Sequence, residues 1–253
     1  MTTTTLYDRL LEARPTDRFL RYDISPARIE QVLRDGTSAA WVSYHPFRGV
    51  RWVTSLADEP AVAARLAEEL VRATLASDAP AAGLTLPERG YDLLAADVRP
   101  PEGNRWCWWW TDAAPSPRPG ESQVVDLDPA DPRIPPLLAH SPSASADPED
   151  DNVVRWAGVV AEGELLACAA HVEHRPGVPH LASVVTHRDH RGRGLASDVC
   201  ARLTRDALDS GAPVVTLGMY TDNDVARGVY TRLGFTVEHE FHSGYLPGAA
   251  PQA

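Results

Sequence analysis

One junction constrains this chain more than any other: Thr186-His187-Arg188-Asp189-His190-Arg191-Gly192-Arg193-Gly194-Leu195-Ala196-Ser197. Residues 181–186 (Leu-Ala-Ser-Val-Val-Thr) are small and β-branched, which suits a buried strand. Beyond the junction, Leu195, Val199, Leu203 and Ala207 recur at helical spacing, and Gly211 before Pro213 closes the helix. A strand must therefore become a helix across two glycines. Without a Cβ, Gly192 and Gly194 let a ligand approach the backbone and permit dihedrals that other residues resist. The unpaired N–H groups of the first helical turn face outward, where the helix dipole favours an anion. Arg188, Arg191 and Arg193 add positive charge. The plain alternative is a turn with solvated arginines; strand, turn, arginines and phased helix together favour a phosphate site.

A second stretch, Asn223 to Phe235, reads as a short helix. Asn223, Ala226 and Tyr230 share one stripe, Leu233 continues the apolar side, and Gly234 stands just past the end. Val214, Val215, Leu217 and Met219 mark a strand before it, and Phe235, Val237 and Phe241 a strand after it. A tyrosine on such a face is usually a core residue; its partnership with the glycine turn one βα unit upstream argues for a role at the site.

The segment from about Asp126 to Leu246 resembles the GNAT superfamily of CoA-dependent N-acyltransferases. The family's Arg/Gln-x-x-Gly-x-Gly/Ala signature is matched by Arg191-Gly192-Arg193-Gly194-Leu195-Ala196. Its later Asn-x-x-Ala-x-x-x-Tyr-x-x-Leu-Gly-Phe helix is matched by Asn223, Ala226, Tyr230, Leu233, Gly234 and Phe235. The resemblance implies acetyl-CoA, or another acyl-CoA, as co-substrate and an amine as acceptor. Backbone N–H groups from Arg191, Gly192, Arg193, Gly194, Leu195 and Ala196, with Ser197 following, are then expected to take the CoA pyrophosphate. The strand end at Val184, Val185 and Thr186 would pair with the pantetheine arm and polarise the thioester. Asn223 would support the cofactor, and Tyr230 would protonate the departing thiolate. A donor aimed at a developing oxyanion contributes about 3 kcal/mol.

Many family members carry a glutamate on the strand entering the glycine turn. This chain offers His180 and Ser183 there instead. The preceding strand ends His171-Val172-Glu173-His174, and period-two alternation turns His171 and Glu173 to one face and His174 to the other. A hairpin of about five residues around Pro176-Gly177 would bring Glu173 and His180 close, making both candidates for the base. A water relay without a dedicated base is an equal alternative. The histidines have neither CxxC nor HExxH spacing, so no metal is expected.

The chain has 253 residues, enough for one large or two small domains. Cys107, Cys168 and Cys200 show no paired spacing, which argues against disulfides or zinc and points to a reducing cytoplasm. The start Met-Thr-Thr-Thr-Thr-Leu-Tyr-Asp-Arg-Leu lacks the pattern of a signal peptide, and no apolar run approaches membrane length. All basic residues are arginine. Residues 1–120 hold 14 Arg against 16 acidic residues, and residues 121–253 hold 10 against 19. An acidic body disfavours nucleic acid and suits a small cationic amine. The run Asp147-Pro148-Glu149-Asp150-Asp151 reads as solvated surface.

Residues 113–120 form a Pro-rich spacer, taken as a linker between domains 1–112 and 121–253. In the first half, 38–44 and 49–55 read as a hairpin, Ala61 to Thr74 as an amphipathic helix, and Gly83 to Pro87 as a strand. A pair of strands is expected at 92–98 and 104–111. This order echoes the second half, giving an expected α/β fold of tandem GNAT-like domains, each a mixed, mostly antiparallel sheet flanked by helices. The first copy has Leu56-Ala-Asp-Glu-Pro60 in place of the glycine turn, and its carboxylates would repel phosphate. In Trp106-Cys107-Trp108-Trp109-Trp110 the aromatic area points to a core rather than a stacking platform. Two other functions fit less well: a non-catalytic CoA-binding module, and transfer from a carrier protein or aminoacyl-tRNA, whose negative charge opposes that of the chain.

Overall fold

The computed structural model describes residues 5–45 and 49–249; the first four residues of the N-terminal reading lie outside these. The chain forms two compact units. The first comprises Met1–Cys107, Tyr220–Asp222 and Glu238–Ala253, and the second Trp108–Met219 and Asn223–Val237.

In the first unit, helices α1 (Leu6–Ala13) and α2 (Arg18–Tyr22) precede strands β1 (Ile29–Asp35), β2 (Ser38–His45) and β3 (Val50–Leu56). These three pair antiparallel in sequence order. Helix α3 (Pro60–Leu75) then crosses over to β4 (Ala81–Pro87), which lies parallel to β3. Pro60 sits at the helix start, where its missing N–H costs no bond. Leu66, Leu70 and Val71 recur along one face and are buried with Val42, Val53, Leu84 and Leu86.

The second unit repeats this order. Strand β5 (Asn104–Thr111) runs across the division between the units, followed by β6 (Val124–Leu127) and helix α4 (Ile134–Leu138). Strands β7 (Val153–Ala161), β8 (Glu164–Arg175) and β9 (Val178–Thr186) pair antiparallel with one another, and β6 with β7. Helix α5 (Leu195–Asp209) crosses over to β10 (Val215–Tyr220), parallel to β9, and α6 (Asp224–Arg232) follows. Trp156, Cys168, Ala170, Val172 and Val185 form a core with Ile134 and Leu137 of α4. Each unit thus runs through antiparallel strands, three in the first and four in the second, into a crossover helix and a parallel strand. The fold is α/β and tandem, with mixed, mostly antiparallel sheets flanked by helices.

Two expectations are corrected. The units divide at Cys107/Trp108, inside a strand, not at 113–120. The last strand, β11 (Thr236–Tyr245), belongs mostly to the first unit, where it pairs antiparallel with β4 from Phe241↔Pro87 to Tyr245↔Gly83. Strand pairing decides this membership, and no local composition records it. Residues 92–98 form turns rather than a strand: Arg99 donates to the carbonyls of Asp92 and Leu94, and Glu68 accepts from the Ala95 N–H. Leu94 and Val98 reach the core from those turns, which is why the segment looks apolar enough for a strand.

Gly83 tests the packing of the first unit. A Cβ there would lie 2.2 Å from the Trp52 ring and 2.7 Å from the carbonyl of Gly244. The ring is held by its Nε1–H bond to Thr85 (2.8 Å). Gly83→Ala is expected to cost about 1–3 kcal/mol, read as a fall of several degrees in the thermal unfolding midpoint.

Candidate functional site

Strand β9 ends at Thr186 and a 3₁₀ turn, Arg188–His190, leads into the two glycines. Gly192 (φ 77°) and Gly194 (φ 84°) both take the left-handed conformation, and Gly194 is the N-cap of α5. Glycine has no side chain to cap a helix, so α5 starts without the side-chain bond that Thr5 gives α1 and Asn223 gives α6. The first intrahelical bond runs from Asp198 N–H to Gly194 C=O (3.0 Å), which leaves the N–H groups of Leu195, Ala196 and Ser197 outside the helical ladder. A Cβ at Gly192 would meet nothing within 4 Å, so space stands open over the turn. Open space, unpaired donors and the helix dipole fit a pyrophosphate.

Two arginines differ from expectation. Arg191 is a brace: its N–H reaches the Arg188 carbonyl (3.5 Å), and its guanidinium reaches the carbonyls of Thr186 (3.5 Å) and His140 (3.0 Å). The open donors therefore begin after it. Arg118, within the segment read as a spacer, pairs with the Asp198 carboxylate at 2.7 Å in the first turn of α5. This ion pair offsets a negative charge that would otherwise sit beside an anion. Nothing local in the sequence signals it, because 80 residues separate the partners. The side chain of Arg193 is exposed and makes no ion pair among the described residues.

Strand β9 is bulged beside the turn. Cys168 pairs with Val185 and Ala170 with Ala182, so Ser183 and Val184 stand opposite the single residue Ala169. Ser183 has φ 47°, rare for a residue with a side chain. On the other side, β10 pairs with β9 only at His180 and Leu181. From there to Thr186 the β9 edge toward β10 is unpaired, and Val184, Val185 and Thr186 lie along it. Such an edge accepts an extended, amide-bearing chain through main-chain bonds.

Tyr230, on α6, is 6% exposed, with the rings of Trp109 and Phe235 at 6.5 and 5.9 Å. Its hydroxyl makes no hydrogen bond among the described residues. Burial above all, and then the Cys200 thiol of α5, push its pKa upward. It is thus held as a neutral O–H donor. Arg227 lies over the Trp109 ring at 5.6 Å. The Asn223 side chain accepts from Ala226 N–H (3.0 Å), so it fixes the start of the helix that carries Tyr230. Gly234 (φ 87°) follows the helix as expected.

Glu173 and His180 do not come together. Arg175 pairs with Val178 across a two-residue turn, Pro176-Gly177, shorter than the expected five. Glu173 therefore opposes Pro179, while His180 opposes Val172, and alternation sends the two side chains to opposite faces. Glu173 accepts from Gly177 N–H (2.8 Å) and lies 3.7 Å from His171. His180 is 9% exposed, its ring 4.3 Å from that of His174, and its Nδ1 is 3.0 Å from the Thr216 hydroxyl. The Thr216 hydroxyl also lies 3.3 Å from the Pro179 carbonyl, and the His180 tautomer sets which of the ring and the hydroxyl donates. His171 and Glu173 thus face away from His174 and His180. In the first unit Asp17, Glu238 and His239 bring ligand-type atoms within 4.8 Å, but Asp17 is taken up by Arg14, His239 and the N-cap of α2.

The uncapped helix start, the unpaired strand edge and the buried tyrosine all belong to the second unit. A family model described as the acetyltransferase (GNAT) family matches residues 103–235, just over half of the chain. The chain belongs to the GNAT family of acetyltransferases. Over 69 residues it is 35% identical to N-alpha-acetyltransferase MAK3 of Arabidopsis thaliana; this stretch is 27% of the chain and 36% of that relative. A GNAT-family acetyltransferase from Novosphingobium aromaticivorans aligns with 82% of this chain and 87% of its own at 21% identity and a TM-score of 0.53. A GCN5-related N-acetyltransferase from Kribbella flavida aligns with 97% of both chains at 18% identity and a TM-score of 0.56. At these identities the likeness to the solved structures is one of fold. No helix among the described residues is long and apolar enough to cross a membrane.

Gly192 separates ligand approach from packing. Gly192→Val is expected to fold, at a backbone cost of about 1–2 kcal/mol, and to show none of the thermal stabilisation by acetyl-CoA that is expected of the parent. The check is a melting curve of each protein with and without acetyl-CoA.

Proposed function

We propose that the second unit transfers an acetyl group from acetyl-CoA to the amino group of a small cationic acceptor in the cytoplasm. The observation that carries this reading is the uncapped start of α5 beside the unpaired edge of β9. One matches a pyrophosphate and the other a pantetheine arm. The amine attacks the thioester carbonyl carbon, a C–N bond forms and the C–S bond breaks. Main-chain N–H groups at the β9 bulge stabilise the developing oxyanion. The thiolate takes the proton of Tyr230, whose raised pKa keeps that proton in place at neutral pH.

The attacking nitrogen loses its proton through water. His180 is the residue assigned to receive it, because Glu173 serves the hairpin turn. Ser183 lies three positions beyond His180, roughly 10 Å along the strand, so the transfer runs through a chain of waters. The excess of 19 acidic residues over 10 arginines in residues 121–253 supports a cationic acceptor. The partial match to an N-alpha-acetyltransferase supports a second reading, in which the acceptor is the α-amino group of a peptide. The first unit supports the fold without binding CoA: β3 and β4 remain paired from Arg51↔Ala81 to Thr54↔Thr85, and its crossover helix begins with Glu59-Pro60.

The test is thiol release from acetyl-CoA with spermidine, tyramine and a peptide with a free α-amino group. Release with none of them, despite acetyl-CoA binding, would favour a non-catalytic module. Tyr230→Phe is expected to lower kcat roughly 10²-fold with little change in acetyl-CoA affinity. Since the Tyr230 pKa is raised, the parent should show no downturn in rate below about pH 10. In pH–rate profiles, His180→Gln should erase the acidic limb, whereas Glu173→Gln should retain it.

A further inference from the structure

Arg118 is placed to do more at the glycine turn than balance a carboxylate. Its Nε bonds Asp198 Oδ1 (2.7 Å), and neither Nη nitrogen makes a hydrogen bond among the described residues. Nη2 lies 3.2 Å from where a Cβ on Gly194 would stand, so the open end of the guanidinium sits over the N-cap of α5. The side chain is 33% exposed, which leaves those donors within reach of a ligand. A helix start attracts an anion and opposes a cation, so a guanidinium fixed there is favoured only with negative charge beside it. Asp198 answers through Nε and leaves the Nη1–Nη2 fork open, a geometry that suits phosphate oxygens.

The placement is built by the chain on both sides. Arg118 is the N-cap of a 3₁₀ turn, Pro119–Gln123, and its N–H donates to the Glu121 carboxylate (2.7 Å). Glu121 pairs in turn with Arg205 of α5 at 3.2 Å. Asp198 and Arg205 stand seven residues apart on one face of α5, so two ion pairs strap the turn along the helix. Between them, a Cβ on Gly120 would lie 2.1 Å from Asp198 Oδ2, so only glycine lets the carboxylate sit beneath the strap. All of these residues belong to the second unit.

We infer that Arg118 is a direct ligand of the diphosphate of the acyl donor, with Asp198 as the positioning residue that holds its guanidinium over the glycine turn. The inference rests on the transferase reading above. It adds to the main-chain N–H groups a side chain from the segment ahead of β6. Charge balance alone makes a different prediction, because Arg118 would then matter only while Asp198 is charged.

Isothermal titration calorimetry on the full chain separates the two, with acetyl-CoA and with acetyl-dephospho-CoA, which keeps the diphosphate and lacks the 3′-phosphate. Arg118→Gln is expected to raise the Kd of both ligands by the same factor, about tenfold or more. The double variant Arg118→Gln/Asp198→Asn leaves no carboxylate unpaired beneath the strap, so it also guards against a folding defect. Its acetyl-CoA Kd should stay as weak as that of Arg118→Gln. Recovery of the parent's Kd in the double variant overturns the inference, since Arg118 would then serve only to neutralise Asp198. An unchanged Kd in Arg118→Gln overturns it too, as does a loss confined to acetyl-CoA, which would put Arg118 on the 3′-phosphate. A parent that binds neither ligand overturns the donor site itself, and the inference with it.

Discussion

Helix α5 starts at a residue that cannot cap it, and much of the second unit is arranged around that fact. A helix start leaves N–H groups without internal partners, and proteins ordinarily satisfy them with a Ser, Thr, Asp or Asn side chain. Thr5, Asp17 and Asn223 do this for α1, α2 and α6. At α5 a left-handed glycine holds the position, and the donors remain for a ligand. Asp198 in the first turn would work against an anion, and Arg118 balances it. Arg191 turns back to brace the strand end and the neighbouring segment instead of joining the donors.

The same connection appears in the first unit without that opening. There the parallel strands stay paired over a longer stretch, and the crossover helix begins with a proline that has no N–H to offer. In the second unit, the bulge at Ser183 and the early end of β9–β10 pairing leave a strand edge bare. The two units share one topology and differ in what their strand-to-helix junction can hold.

Much of this was legible in the sequence. Gly192, Gly194 and the period of α5 predicted strand, turn and helix because glycine spacing and helical periodicity are local properties. The α6 pattern and the terminal Gly234 were legible for the same reason. Glu173 and His180 do not meet as the sequence suggests, because alternation along a strand depends on every bulge and on the length of the turn. A two-residue hairpin in place of five changes which face a side chain meets. Asn223, expected to support the cofactor, has its side-chain oxygen on the Ala226 N–H at the start of α6. The motif names the residue without saying which of its atoms is engaged.

The sequence by itself determined the family, the order of elements and the position of the glycine turn, because each rests on residues near one another in the chain. Only the tertiary structure decided that the C-terminal strand joins the first unit and that Arg118 reaches Asp198. Those contacts join residues 80 or more positions apart. They exist only after strands have paired and helices have packed, so no local pattern of residue types encodes them.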